Sequence, residues 1–392
     1  MTDRIHVLKN QLTHRMSEEF KLLISLFDHQ RTTPLKRSEN FSFELFIQLL
    51  GRHRIRPLII EYFDEFKQIL DEKELDHLKK ICQPFVMRQM NLTKVTFRIL
   101  ELFKQEGIPV ISFKGPILSK KLFDSYTSRE SIDLDFLIHP DDLSKADLIL
   151  KKENFKSDLE ISGWKDWNLK CLKKIAADIP YQRISDRINL ELHWRFFKQS
   201  AIYPKSCTEV FFDTKKSDLR IAEVTALKDE DELLYLCIHG TKHSWFRIKW
   251  LLDIRQILIH SGNEINWQQI SEIAKSNNNY SALVSSLFLV HLIFNVPLPK
   301  LFKLKEFSDE KIINQMEDAI HAFVNDNLFH DPNNLINQVQ KFNYGYRELK
   351  DFLWNILLSK HDIILINLPP SLFWLYFPLR PFSIIYRKIF SR

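Results

Sequence analysis

The stretch that decides the fold is SIDLDFLIH, residues 131–139. Asp133 and Asp135 alternate with Ile132, Leu134 and Phe136, and Leu137 and Ile138 complete the apolar run. Such alternation reads as a strand, although strands are depleted in Asp. Side chains two residues apart share a strand face, so the two carboxylates stand together and Leu134 faces the other way. Like charges so placed repel, and an unpaired buried charge is very costly. A divalent cation answers both problems. Mg²⁺ takes oxygens from one or two carboxylates, several waters and substrate phosphates. Two such ions about 3.5–4 Å apart can stabilise the entering and leaving oxygens of a phosphoryl displacement.

Downstream, RINLELHW (187–194) alternates in the same way. It offers Glu191 as a third carboxylate, with His193 on the same face. Upstream, IPVISF (108–113) reads as a short strand followed by KGP. Gly115 permits a close backbone turn, and Pro116 suits the first position of a helix through ILSKKLF. That helix start presents unpaired N–H groups to a phosphate, and Lys114 adds a point charge. Arg129, four residues before Asp133, adds a forked donor. A lone D-x-D is most often a solvated turn or strand edge. The order carries the reading: strand, Lys-Gly, helix, an Arg and two Asp on a strand, then Glu-x-His on a later strand.

Composition sets bounds around this core. The chain has 392 residues, 45% hydrophobic and 27% charged, as expected of a globular protein with a real core. A net charge of +6 admits an anionic substrate without demanding one. No Lys/Arg block is long enough for a nucleic-acid arm, so no stable nucleic-acid binding is expected. Cys82, Cys171, Cys207 and Cys237 lie far apart and form no C-x-x-C pair. Reduced thiols in a cytoplasmic compartment are the plain expectation. The start MTDRIHVLKN shows no signal peptide, and no clean run of about 18 apolar residues occurs.

Residues 1–106 read as helical; Leu92, Val95, Ile99 and Leu102 share one helix face, and Gly107 with Pro109 stops the run. HPDDLSKADLILKK (139–152) reads as a helix with Pro and acids in its first turn. From about residue 228 the pattern returns to helix, interrupted by a loop signal at DPNN (331–334). There, His239 and His243 are one helical turn apart, a spacing able to bind zinc with a third ligand, but no H-E-x-x-H supports it. Lys242 in the same turn is a nucleotide-facing candidate, Asp253 a partner for His243, and Trp245 and Trp250 read as core. The tail NLPPSLFWLYFPLRPFSIIYRKIFSR (367–392) mixes aromatics with Arg380, Arg387, Lys388 and Arg392. Docking onto the body of the protein is its first reading, weak contact with a membrane surface its second, and its prolines break any long helix.

VISFKGPILSKKLF, RESIDLDFLIHPDDL, INLELHWRFF, LLYLCIHGTKHSWFRIKWLLDI and FPLRPF together resemble the bacterial nucleotidyltransferase family of the DNA polymerase β-type superfamily. The resemblance is to the branch with a Lys-Gly turn and spans roughly residues 85–390. It implies an α+β fold: a mixed β-sheet core with helices at 91–227, an N-terminal helical region at 1–90 and a C-terminal one at 228–392. It implies Mg²⁺-dependent transfer of a nucleoside monophosphate from an NTP to an acceptor hydroxyl or phosphate, with pyrophosphate leaving. By motif, Asp133 and Asp135 match the paired metal ligands and Glu191 the third acid. Lys114 and Gly115 occupy the phosphate-side turn. Arg129 and Lys242 join them as nucleotide-side candidates, and His193, His239 and His243 as auxiliary ones. The wider superfamily usually has Gly-Ser at the turn; here Pro116 follows the glycine, removing a hydroxyl and an N–H. Two rival readings keep the fold: a silent binding or scaffold protein, and a peripheral membrane enzyme of surface polysaccharide biosynthesis acting on a lipid-linked acceptor through the C-terminal segment.

Overall fold

The computed structural model describes residues 2–302, 309–324 and 360–390, apart from positions 160, 163, 199–201, 204, 213–214, 220–221 and 367. The DPNN signal at 331–334 lies outside the described residues. The fold is mixed α+β, and the chain separates into two compact units that interleave in sequence.

The first unit holds residues 1–94, 115–131 and 227–343. Its helices are α1 (Thr2–Arg15), α2 (Glu18–Leu26), α3 (Phe43–His53), α4 (Arg56–Glu61), α5 (Phe63–Phe66) and the first part of α6 (Glu72–Gln105). Ser17 and Ser42 cap α2 and α3 by accepting from the N–H groups of Phe20 and Leu45. Next come α7 (Gly115–Phe123) and, numbered after three helices of the other unit, α11 (Asp229–Lys242), α12 (Ile248–His260), α13 (Trp267–Ser276), α14 (Tyr280–Phe294) and α15 (Glu310–Val324). Helix α14 is apolar almost all round and buried from Ser281 to Val290. A helix of that character belongs at the centre of a bundle, and α11, α12, α13 and α15 pack against it.

The second unit holds residues 95–114, 132–226 and 344–392. Its helices are α8 (Leu143–Lys152), α9 (Asp166–Ile175), α10 (Cys207–Phe212), α16 (Lys360–Leu365) and α17 (Tyr376–Phe390). The end of α6 falls where the sequence places it. Gly107 takes φ +68, and Ile108 N–H returns to the Phe103 carbonyl at 2.8 Å. The sheet that follows has the order β1 (Val110–Ser112), β2 (Asp133–Ile138), β4 (Ile188–His193), β3 (Asp178–Arg183). β1 and β3 run antiparallel to their neighbours, and β2 and β4 are parallel. One sheet face packs on the end of α6, where Phe103 meets Phe136 at 6.2 Å between ring centroids. Burying each such side chain contributes about 1.5–3 kcal/mol.

Several elements lie outside the sequence reading, among them β3 and a hairpin. β3 carries Pro180, which suits an edge strand but hides it from pattern reading. β5 (Lys215–Leu219) and β6 (Ala222–Ala226) pair as a separate hairpin. The tail also differs: α17 runs through Pro381 without breaking. Pro378 falls in its first turn, where N–H groups have no intrahelical partner anyway, so Pro381 alone removes a helical hydrogen bond. All four cysteines are free and buried. No helix among the described residues is long and apolar enough to cross a membrane.

Candidate active site

The site begins with a register. β2 and β4 pair in parallel with Asp135 beside Glu191, Asp133 beside Asn189 and Leu137 beside His193. Paired residues of adjacent strands project to the same face, so Asp133, Asp135, Glu191 and His193 share one. Leu134 and Phe136 turn to the other face and are buried.

Asp135 is the buried centre, 1% exposed, whereas Glu191 is half-buried. Lys114, just beyond β1, places Nζ 2.8 Å from Asp135 Oδ1. His193 Nε2 lies 3.3 Å from Asp135 Oδ1 and 3.2 Å from Glu191 Oε2. Both are ion-pair distances, and neither contact has hydrogen-bond geometry. Phe113 closes over the imidazole edge-on, with ring centroids 5.2 Å apart.

Electrostatics follow from this crowding. Burial alone raises the Asp135 pKa, but the Lys114 ammonium and the His193 imidazolium overcome it and hold the carboxyl well below its usual range. Burial works against a charged His193, yet Asp135 and Glu191 outweigh it and push its pKa up to about 9. Asp135 and His193 thus stabilise each other's charged forms.

Asp135, Glu191 and His193 each offer one ligand atom, all within 4.8 Å of one another. Asp135 Oδ2 is buried and has no hydrogen-bond partner among the described residues. The two carboxylates, one with an orphaned buried oxygen, fit a divalent cation, which His193 could ligate only on losing its proton. Sequence reasoning ranked His193 below Asp133. The structure places His193 inside this tight group and Asp133 beside it, one β2 step away on the same face.

The remaining candidates lie in the first unit. Gly115 takes φ +64 and opens α7, with Pro116 second in the helix. Arg129 is 5% exposed at its side chain and grips Asp253: Nε to Oδ1 at 2.9 Å and Nη2 to Oδ2 at 2.9 Å. Asp253 therefore pairs with Arg129 rather than His243. Gln89 brackets the neighbouring Ser131, donating to its carbonyl and accepting from its N–H, both at 3.0 Å. Lys249 Nζ donates to the Glu130 carbonyl at 2.8 Å. The triplet Arg-Glu-Ser ahead of β2 is therefore locked by buried polar contacts, a role sequence reasoning missed. Its signal was the presence of Arg, Glu and Ser together before an apolar strand.

His239 and His243 stand with ring centroids 4.7 Å apart, and each lies 5.4 Å from Trp250. Lys242 ends α11. Trp245 and Trp250 are buried. One further feature explains the second half of INLELHWR: Trp194 Nε1 donates to the Lys173 carbonyl at 3.1 Å, and Arg195 Nη2 donates to the carbonyls of Lys173, Lys174 and Ala176. These groups satisfy the last carbonyls of α9.

The family described as an uncharacterised nucleotidyltransferase matches residues 39–295, roughly two thirds of the chain. The chain belongs to that family, and with it to the nucleotidyltransferases, whose substrate is a nucleotide. No curated protein and no solved structure matches the chain.

Proposed function

We propose that this chain transfers a nucleoside monophosphate from an NTP to an acceptor hydroxyl or phosphate at the face shared by Asp133, Asp135, Glu191 and His193. Asp135, Glu191 and Asp133 would hold the divalent cations, magnesium first among them. Bound there, a cation would neutralise phosphate oxygens and acidify the acceptor hydroxyl. The single observation that carries the reading is the parallel register of Asp135 with Glu191, joined to a buried Asp135 oxygen that has no hydrogen-bond partner among the described residues.

Each protein group then has a task. Lys114 serves Asp135 in the free chain and turns to a phosphate oxygen when substrate is present. Gly115 lets the backbone approach that phosphate, and the ammonium of Lys114 stands in for the hydroxyl that Pro116 excludes. Glu191, the more exposed carboxylate, faces the acceptor and takes its proton. Arg129, held by Asp253, positions the chain entering β2.

The experiment is label transfer from α-labelled NTPs to acceptors in a cell extract, with the wild type beside Asp135→Asn and Glu191→Gln. Transfer falls at least about a hundredfold in each variant, on the scale of losing a charge-stabilising group. Transfer that persists unchanged ends this reading. Thermal shift adds a second arm: a bound NTP must raise the apparent stability of the native state. No shift with any NTP, with or without Mg²⁺, leaves the silent scaffold as the better account.

A further inference from the structure

The register that sets Asp133 beside Asn189 continues past β4. Asn189 pairs with Gln182 across the antiparallel strands β4 and β3. Gln182 in turn pairs with Lys156, and the two exchange backbone hydrogen bonds at 2.9 and 2.7 Å. Directly paired residues project to the same face of a sheet. Asp133, Asn189, Gln182 and Lys156 therefore form one polar row across that face. One position along, the opposite face is core: Leu134, Leu190 and Tyr181 pair there and are at most 2% exposed. The row opens to solvent as it leaves the acids. Asp133 and Asn189 are half-buried, whereas Gln182 and Lys156 are exposed.

The side chains of the row are arranged for recognition. Gln182 Nε2 donates to Asn189 Oδ1 at 3.3 Å. That bond aligns the two amides and sets Asn189 Nδ2, a donor, beside Gln182 Oε1, an acceptor. Neither atom has a hydrogen-bond partner among the described residues, and Lys156 has no ion-pair partner among them. A neutral donor beside a neutral acceptor suits neighbouring hydroxyls, each of which donates and accepts, and the ammonium beyond them suits an anion. The order across the sheet says which substrate this is. Lys114, just beyond β1, supplies positive charge from one side of Asp135. The row runs the other way, through the strand of Glu191 and on to β3.

We propose that this row is the acceptor site, and that the acceptor is an anionic sugar. Asn189 and Gln182 hold its neighbouring hydroxyls, and Lys156 holds its phosphate or carboxylate. Two strand gaps separate Asn189 from Lys156, about 10 Å in all, room for one sugar ring and a charged substituent. The inference rests on the reading of Asp133, Asp135 and Glu191 as the transfer site. With the anion held at Lys156, the group presented to the acids is a hydroxyl. Its oxygen bonds to the α-phosphorus, the bond to the bridging oxygen breaks, pyrophosphate leaves, and the hydroxyl proton passes to Glu191.

A ligand-observed NMR titration of the full-length chain, with Mg²⁺ and without NTP, reads binding apart from transfer. The probes are glucose, glucose 6-phosphate and glucuronate, the last two distinguishing a phosphate from a carboxylate. At least one anionic sugar binds, about fivefold tighter than glucose. Asn189→Ala with Gln182→Ala raises its dissociation constant about tenfold, the scale of lost hydrogen bonds. Lys156→Ala removes the preference over glucose. Unchanged thermal midpoints show that the variants fold; should the alanine pair fail to fold, Lys156→Ala carries the test. Binding of none of the three sugars, or of all three equally, overturns the proposal, as does binding that neither variant weakens. An alanine pair that weakens ATP, GTP, CTP or UTP binding and leaves the sugars untouched assigns the row to the base and overturns it too. Label transfer in a cell extract without sugar binding overturns the row and leaves the reaction standing. Sugar binding that the variants weaken, without any transfer, ends the reaction and keeps the row as a sugar site.

Discussion

Lys114 and Asp135 form a buried ion pair, Nζ to Oδ1 at 2.8 Å, with the aspartate side chain wholly inaccessible. Removing one partner of such a pair strands the other's charge in a medium that cannot solvate it. Lys114→Met is expected to cost about 3 kcal/mol in urea denaturation without divalent ions, on the scale of broken buried pairs. Added Mg²⁺ or Mn²⁺ then raises the variant's stability more than the wild type's, because the cation supplies the charge the lysine supplied. A variant as stable as the wild type in chelator would show that Asp135 does not depend on Lys114.

His193 makes the same cluster sensitive to pH. Its folded pKa is pushed up to about 9 from an ordinary value of 6.5. A raised imidazole pKa means that the native state holds the proton more tightly than the unfolded chain. The stabilisation is complete below about 6.5 and is lost as pH rises through about 9. Asp135 has the opposite sign: its depressed pKa stabilises above the ordinary value of 3.8, and that contribution is lost as pH falls below it. In chelator, the unfolding free energy of the wild type from urea denaturation therefore declines from neutral to mildly alkaline pH, by on the order of 2 kcal/mol. His193→Gln flattens that decline. A slope that survives the substitution would belong to another group.

The strands of this site are legible in the sequence because alternation is local. The pattern Asp-Leu-Asp-Phe gives the face of each carboxylate from two neighbouring residues, and Asn-Leu-Glu-Leu-His does the same for Glu191 and His193. The pairing is not local. Whether Asp135 stands beside Glu191 or two residues away depends on the register of two strands more than fifty positions apart. No turn fixes that register, as one does in a hairpin. The fate of Arg129 was hidden for a similar reason: its partner Asp253 comes from α12, far along the chain. An arginine near two aspartates looks like a phosphate ligand until the third carboxylate is found. β3 is hidden because Pro180 and its charged neighbours break the apolar pattern, while its pairing with β4 is set by the backbone ladder and a Gln182–Asn189 side-chain hydrogen bond.

Arg129 yields a test that separates positioning from nucleotide contact. Its guanidinium meets Asp253 with two nitrogens, and both side chains are at most 5% exposed. Arg129→Ala leaves a buried carboxylate without its partner and is expected to cost about 3–5 kcal/mol. Arg129→Lys keeps the charge but not the fork, so it recovers part of that loss. Chemical denaturation of the three proteins measures both effects. A nucleotide contact without structural duty would show the reverse: unchanged stability and a raised KM for NTP.

Gly240 and Trp245 explain the small residue inside the His-Gly-Thr-Lys-His turn. A Cβ built on Gly240 would fall 2.2 Å from two carbons of the Trp245 six-membered ring. Trp245 cannot retreat easily: it is 1% exposed, takes φ +53, and its N–H returns to the Gly240 carbonyl at 2.9 Å. The helix needs no glycine here for its backbone, since alanine has the higher helix propensity. Packing and propensity thus oppose each other, and magnitudes decide between them. Alanine gains about 1 kcal/mol in an exposed helix interior, whereas overfilling a close-packed core costs about 1–3 kcal/mol and more when the neighbour is rigid. Gly240→Ala is therefore expected to lower stability by about 2 kcal/mol, and Trp245 fluorescence should shift as the indole is displaced. A double variant, Gly240→Ala with Trp245→Leu, should lose less than the two single changes added together, because the smaller side chain vacates the space the methyl needs. Strict additivity would show that the two residues do not compete for that space.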